Sequence, residues 1–148
     1  MEELFVEQAP FPDERREIWA GFRLYLAQLS KLVPSATIWL DGDFVTHKTW
    51  APADIDLAVL LDGSHLAAFT PEQWQKLAQL VTLQGVTAVT LAAATPRLQP
   101  MGGLIDAFVL DVSDRHARTF WEQAWSLVTD QTKAIVPGKY KGFVEVVT

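Results

Sequence analysis

The chain has 148 residues, 49% of them apolar, with 12 basic and 18 acidic side chains and a net charge of −6. This size and apolar share predict a single domain spanning 1–148 with a core of its own. The acidic balance argues against a broad nucleic-acid-binding surface, which needs Lys and Arg to neutralise phosphates. With no cysteine, a disulfide framework, a thiolate metal site and a cysteine nucleophile are all excluded.

The N-terminal stretch MEELFVEQAPFPDERREIW is acidic and broken by prolines where a signal peptide is basic and then apolar. No apolar run approaches the ~20 residues of a membrane span. A cytoplasmic protein without membrane association is therefore expected. Met1 to Pro12 reads as an extended or irregular arm, because Pro10 and Pro12 hold their neighbours out of the α region. Asp13 to about Lys31 predicts a helix whose apolar stripe is Ile18, Phe22, Tyr25, Leu26 and Leu29. Arg15 and Arg16 on that helix are either phosphate contacts or, more commonly for such residues, solvated surface arginines.

Thr37 to Leu40 predicts the first strand, with Gly42 making the turn after it. A polar loop carrying Thr46, His47 and Lys48 follows, with His47 read as solvent-exposed. The next strand opens on Asp54 and Asp56 and continues as the apolar run Leu57 to Leu61, the pattern of a central strand covered on both faces. Residues i and i+2 of a strand share a face, so the two carboxylates project side by side. Two anions about 4 Å apart repel by roughly 4 kcal/mol at an effective dielectric near ~20. Such a pair calls either for a cation or shared proton, or for full solvation. Hard divalent cations take oxygen ligands, and Mg²⁺ is held by one or two carboxylates plus substrate phosphates.

Asp62-Gly63-Ser64 reads as a turn, and Thr70-Pro71-Glu72-Gln73 as a capping box. The helix it starts is expected to run to about Thr82, burying Trp74, Leu77, Ala78 and Val81. Val86 to Ala93 predicts a strand, and Thr95 to Gly103 a loop in which Arg97 is a substrate contact or a surface arginine. Leu104 to Val112 predicts a strand with Asp106, Phe108 and Leu110 on one face and Ile105, Ala107, Val109 and Asp111 on the other. Asp106 lies among apolar residues, where a carboxylate needs a partner. Asp111, near the strand's far end, suits a turn or cap. Ser113 or Asp114 should cap a helix over His116 to Thr129 that buries Phe120, Trp121, Ala124, Trp125 and Val128. A loop with Pro137 and Gly138 leads to a last strand, Phe143 to Val147, at a sheet edge. The six tryptophans form core or an association surface.

Taken together, Gly42-Asp43 after an apolar strand and Asp54-Ile55-Asp56 ahead of another resemble the signature of polymerase-β-type nucleotidyltransferases. That signature has an apolar residue, Gly, then Gly or Ser, a spacer and D-h-[DE]. The wording GDFVTHKTWAPADIDLAVLL is most similar to small bacterial and phage members of unassigned function that carry G-S-F-V-T-x-K before P-x-D-h-D, and Tyr140-Lys141-Gly142-Phe143-Val144 looks like their closing strand. The resemblance implies an α/β fold, a mixed twisted sheet of four or five strands with flanking helices in the minimal nucleotidyltransferase arrangement. It further implies transfer of a nucleoside monophosphate from a nucleoside triphosphate to a hydroxyl of a protein, RNA or small molecule. Asp54, Asp56 and Asp106 would bind Mg²⁺ or Mn²⁺, and Gly42, the residue at position 43 and Lys48 would hold the nucleotide. As an ordinary loop residue, Lys48 would need no such role.

One departure stands out: position 43 is Asp where the family has Ser or Gly, which sets an anion toward an anionic triphosphate. It leaves a modified site, a different substrate, or a catalytically inactive domain that binds a nucleotide or a partner. A metal-dependent hydrolase using the same acids is disfavoured, since no histidine accompanies them. The chain also lacks the helical domain with which larger relatives hold base or acceptor, so a protein partner, a homodimer or an acceptor supplied in trans is expected.

Overall fold

The structure is a computed structural model that describes residues 1–88 and 93–148. A short helical segment, Glu3–Glu7, precedes α1 (Pro12–Leu32), β1 (Thr37–Asp41) and β2 (Ile55–Leu61). Next come α2 (Gly63–Ala67), α3 (Pro71–Ala78), β3 (Leu83–Ala88), β4 (Ala93–Leu98) and a 3₁₀ turn at Met101–Gly103. The chain closes with β5 (Ile105–Asp111), α4 (Arg115–Trp125), β6 (Leu127–Thr129), β7 (Ile135–Tyr140) and β8 (Val144–Val147).

The main sheet has the order β5-β2-β1-β8. β2 and β5 run parallel, while β1 pairs antiparallel with both β2 and β8. This is the expected α/β fold with a mixed sheet and flanking helices, here of four strands. Alternation divides each strand between two cores. Ile38, Leu40, Leu57, Val59, Ile105 and Ala107 face α1, whose Ile18, Phe22, Tyr25 and Leu29 are buried against them. On the other face Trp39, Ala58, Leu60 and Leu110 pack with Phe108, Trp121, Trp125 and Phe143, so α4 covers this side. The two-sided apolar run of β2 is thus a central strand, buried from Leu57 to Leu61. β8 is one edge strand, clamped where the Thr148 backbone N–H donates to Ala36 O at 3.0 Å and the Trp39 indole donates to Glu145 at 2.9 Å.

Helix starts follow local chemistry. Pro12 occupies the first turn of α1 with Asp13 and Glu14, and Thr70 and Gln73 close the expected capping box on α3. Several boundaries differ from the sequence reading. The N-terminal arm is helical at Glu3–Glu7 and buries Phe5 and Val6, because α1 and the loop after β1 present an apolar seat for them. Asp62 is the N-cap of α2 rather than part of an open turn, its carboxylate accepting from Ser64 N at 2.7 Å. α3 stops at Ala78, and of its expected buried residues Leu77 alone is fully buried: Trp74 is 47% exposed, Ala78 is exposed and Val81 lies beyond the helix end. Thr82 has left the helix, its N–H donating to Ala107 O on the edge of β5.

The expected strand Val86 to Ala93 is divided between β3 and β4, with its residues 89–92 outside the described ones. Thr95 to Leu98, expected as loop, belongs to β4, because Val86 pairs with Thr95 and Gln84 with Arg97. α4 ends at Trp125; the chain then forms the ribbon β6–β7, which takes in the expected loop at Pro137 and Gly138 and leaves Phe120 65% exposed. Among the described residues no helix is long and apolar enough to cross a membrane.

Candidate active site

Strand register builds the site. Asp41, the last residue of β1, pairs with Asp56, and Asp56 pairs with Asp106 on β5. Paired residues share a face, so three carboxylates from three adjacent strands stand in a row on the side of the sheet that bears Trp39, Ala58 and Phe108. Asp54, just ahead of β2, adds a fourth charge that acts on Asp56. Asp54, Asp56 and Asp106, singled out from the sequence, are therefore brought to one end of the sheet. Asp41 was missed. Its signal was available in the alternation of β1, which sets it on the Trp39 face immediately before the Gly42 bend.

Each acid except Asp56 has a partner. Buried Asp106 accepts from the Thr82 hydroxyl at 2.6 Å and is ion-paired with Arg97. Gln99 Nε2 donates to Asp54 at 2.8 Å. Asp41 is ion-paired with Lys141; burial pushes its carboxyl up while the Lys141 bond pulls against that. Among the described residues no donor stands within hydrogen-bond reach of the Asp56 carboxylate. Burial, then the charges of Asp54 and Asp41, push Asp56 up to about 6. Asp111 takes the ordinary role, accepting from Ser113 N at 2.8 Å and Ser113 Oγ at 2.7 Å.

The bend after β1 is set by Gly42 at φ +83°, a conformation that suits glycine, and a Cβ there would overlap the Asp56 carboxylate. The loop beyond it hangs from Arg15. That side chain is fully buried, neither solvated nor available to a phosphate. It donates to Pro10 O at 2.6 Å, Phe5 O at 3.0 Å, Phe44 O at 2.5 Å and Thr46 O at 2.8 Å, so the N-terminal arm and the loop share one guanidinium. Arg16 is the surface arginine, paired with Glu7 and Asp13.

Asp43 lies in this loop and is neutralised within it. Lys48 approaches at 2.6 Å, the Trp50 indole at 2.8 Å and Lys133 at 3.3 Å. Burial works to raise the Asp43 carboxyl, yet the Lys48 and Trp50 hydrogen bonds and the Lys133 charge outweigh it and hold the carboxyl low. Lys48 also donates to Thr129 O at 3.0 Å, tying the loop to β6. Asp41, Asp43, Asp56, Lys48, Lys133 and Lys141 line a polar cleft of about 180 Å³ beside Gly42. His47 and His116 are exposed, as expected.

The chemistry of the donors suits a hard divalent cation: register-aligned carboxylate oxygens, with half-buried Asp56 lacking a hydrogen-bond donor. Among the described residues no three acids are gathered at metal-binding distance. Two of the acids, Asp106 and Asp54, are held by Arg97 and Gln99. Neither a curated protein nor a solved structure matches this chain. A family of unknown function, DUF6932, matches residues 1–147, and the chain belongs to that family.

Proposed function

We propose that this chain is a metal-dependent nucleotidyltransferase of the polymerase-β type, working in the cytoplasm on a hydroxyl acceptor from a protein, RNA or small molecule. The observation that carries the reading is the register-aligned row Asp41, Asp56 and Asp106, of which Asp41 and Asp56 line a cleft beside the Gly42 bend together with three lysines. Asp54, Asp56 and Asp106 would hold the ion. Bound there, Mg²⁺ or Mn²⁺ would supply positive charge to the triphosphate and to the attacking oxygen. Lys133, 73% exposed, and Lys48 can exchange Asp43 for phosphate oxygens. Lys141 keeps Asp41 from adding a further negative charge against the triphosphate. The acceptor hydroxyl would lose its proton to solvent as its oxygen bonds to the α-phosphorus and the bond to pyrophosphate breaks, the protein's part being mainly to position the groups. A protein partner or a second copy of the chain would present the acceptor.

A second reading is a catalytically inactive domain that binds a nucleotide or a partner. It is favoured by the Lys48–Asp43 pair, which turns a phosphate-binding lysine inward. Calorimetric titration of ATP, CTP, GTP and UTP in Mg²⁺ separates the two. Binding of one nucleotide, abolished in a folded Asp56→Asn variant, together with pyrophosphate release, supports the transferase. Binding without pyrophosphate release against any acceptor supports the inactive domain, and no binding at millimolar nucleotide removes both nucleotide readings.

A further inference from the structure

Among the described residues β3 and β4 pair only with each other, yet Arg97 and Gln99 reach the carboxylate row from their end. Arg97 near its end and Gln99 just beyond are two residues apart and meet two different acids, Asp106 and Asp54. The Arg97 charge also acts on Asp56. Two side chains at one strand end therefore occupy two of the three acids proposed to hold an ion.

Their carrier is weakly held. Leu83, Gln84, Gly85, Thr87, Thr95, Pro96 and Leu98 are all exposed, so little apolar area anchors the hairpin. An element with few buried contacts opens at low free-energy cost relative to the sheet it covers. Arg97 is itself 41% exposed on its side chain, whereas its partner Asp106 is 3% exposed. The cation can return to water; the carboxylate cannot, and needs another cation in its place.

We infer that Arg97 and Gln99 form an autoinhibitory strap, in which the guanidinium stands in for a divalent cation at Asp106 and must be released before that cation binds. The inference rests on the metal-dependent reading of the site. The protein would then rest in a form with low metal affinity, and anything drawing the hairpin away, a partner or an acceptor, would raise that affinity.

The test is Mn²⁺ binding by the full chain, followed by calorimetry without nucleotide, in wild type, Arg97→Gln and Lys133→Gln. Lys133, like Arg97, acts on the Asp56 charge, but it does not touch Asp106. Release of the strap predicts at least tenfold tighter Mn²⁺ binding in Arg97→Gln and no more than about a threefold gain in Lys133→Gln. Saturating Mg²⁺ should also speed amide hydrogen exchange in Leu83–Ala88 of the wild type. Equal gains in the two variants, or no gain in Arg97→Gln, would overturn the strap while leaving the metal site standing, as would unchanged hairpin exchange at saturation. Absence of Mn²⁺ binding in all three proteins removes the metal site, and the strap with it.

Discussion

Two arginines make opposite use of the same side chain. Arg15 is fully buried and satisfies backbone carbonyls from the N-terminal arm and from the loop after Gly42. Arg97 is partly exposed and satisfies one carboxylate from a hairpin that is otherwise solvent-facing. Carbonyls spread over two segments can be served together only by a planar fork with several donors, so no ligand can replace Arg15. A single carboxylate can be served by any cation. The first arginine builds the site, and the second only fills it.

The sharpest way to break this contrast is to remove each guanidinium. Arg15→Met should cost ~3 kcal/mol or more, because several buried carbonyls lose their donors together, and urea unfolding measures it. The same measurement on Arg97→Gln in EDTA should show a loss of ~1–3 kcal/mol, because Asp106 stays buried without its cation, and adding Mn²⁺ should recover it. Comparable losses that metal does not restore would erase the distinction.

Next in size is Asp56→Asn. The folded carboxyl is pushed up from 3.8 to about 6, so between those values the native state holds a proton that the unfolded chain has released. Wild-type stability therefore carries a component that falls as pH rises through that window and stays lost above it. The variant lacks this component and should gain ~1–3 kcal/mol over wild type at pH 7, with little difference near pH 4. Urea unfolding at both pH values reads the difference. Mn²⁺ affinity of the wild type should weaken as pH drops below about 6, where protons compete for Asp56.

Lys141→Met extends the comparison to the other end of the row. It leaves Asp41 buried without its partner, at ~1–2 kcal/mol near neutral pH. Burial already pushes that carboxyl up, so the loss should fade as acid neutralises it, a trend that thermal unfolding across pH would show. Smallest of all is Arg16→Ala. Its ion pairs with Glu7 and Asp13 are exposed, and thermal unfolding should detect no change.

The sequence by itself determined the strands of the main sheet and three of the acids that they bring to its end. The apolar run from Leu57 to Leu61 announced a central strand, the stripe on α1 announced its cover, and Asp106 alternated with Phe108 and Leu110 as observed. These are local statements, resting on periods of two and 3.6 that each segment displays alone. Tertiary structure decided which strands are neighbours and in what register, and with it that Asp41 joins the row and that Lys141, from the far end of the chain, neutralises it. It also turned Arg15 inward, ended α3 early so that Thr82 could reach Asp106, and brought Arg97 onto the same carboxylate. No periodicity encodes those outcomes, because each depends on which buried polar group lacks a partner once the distant segments have packed.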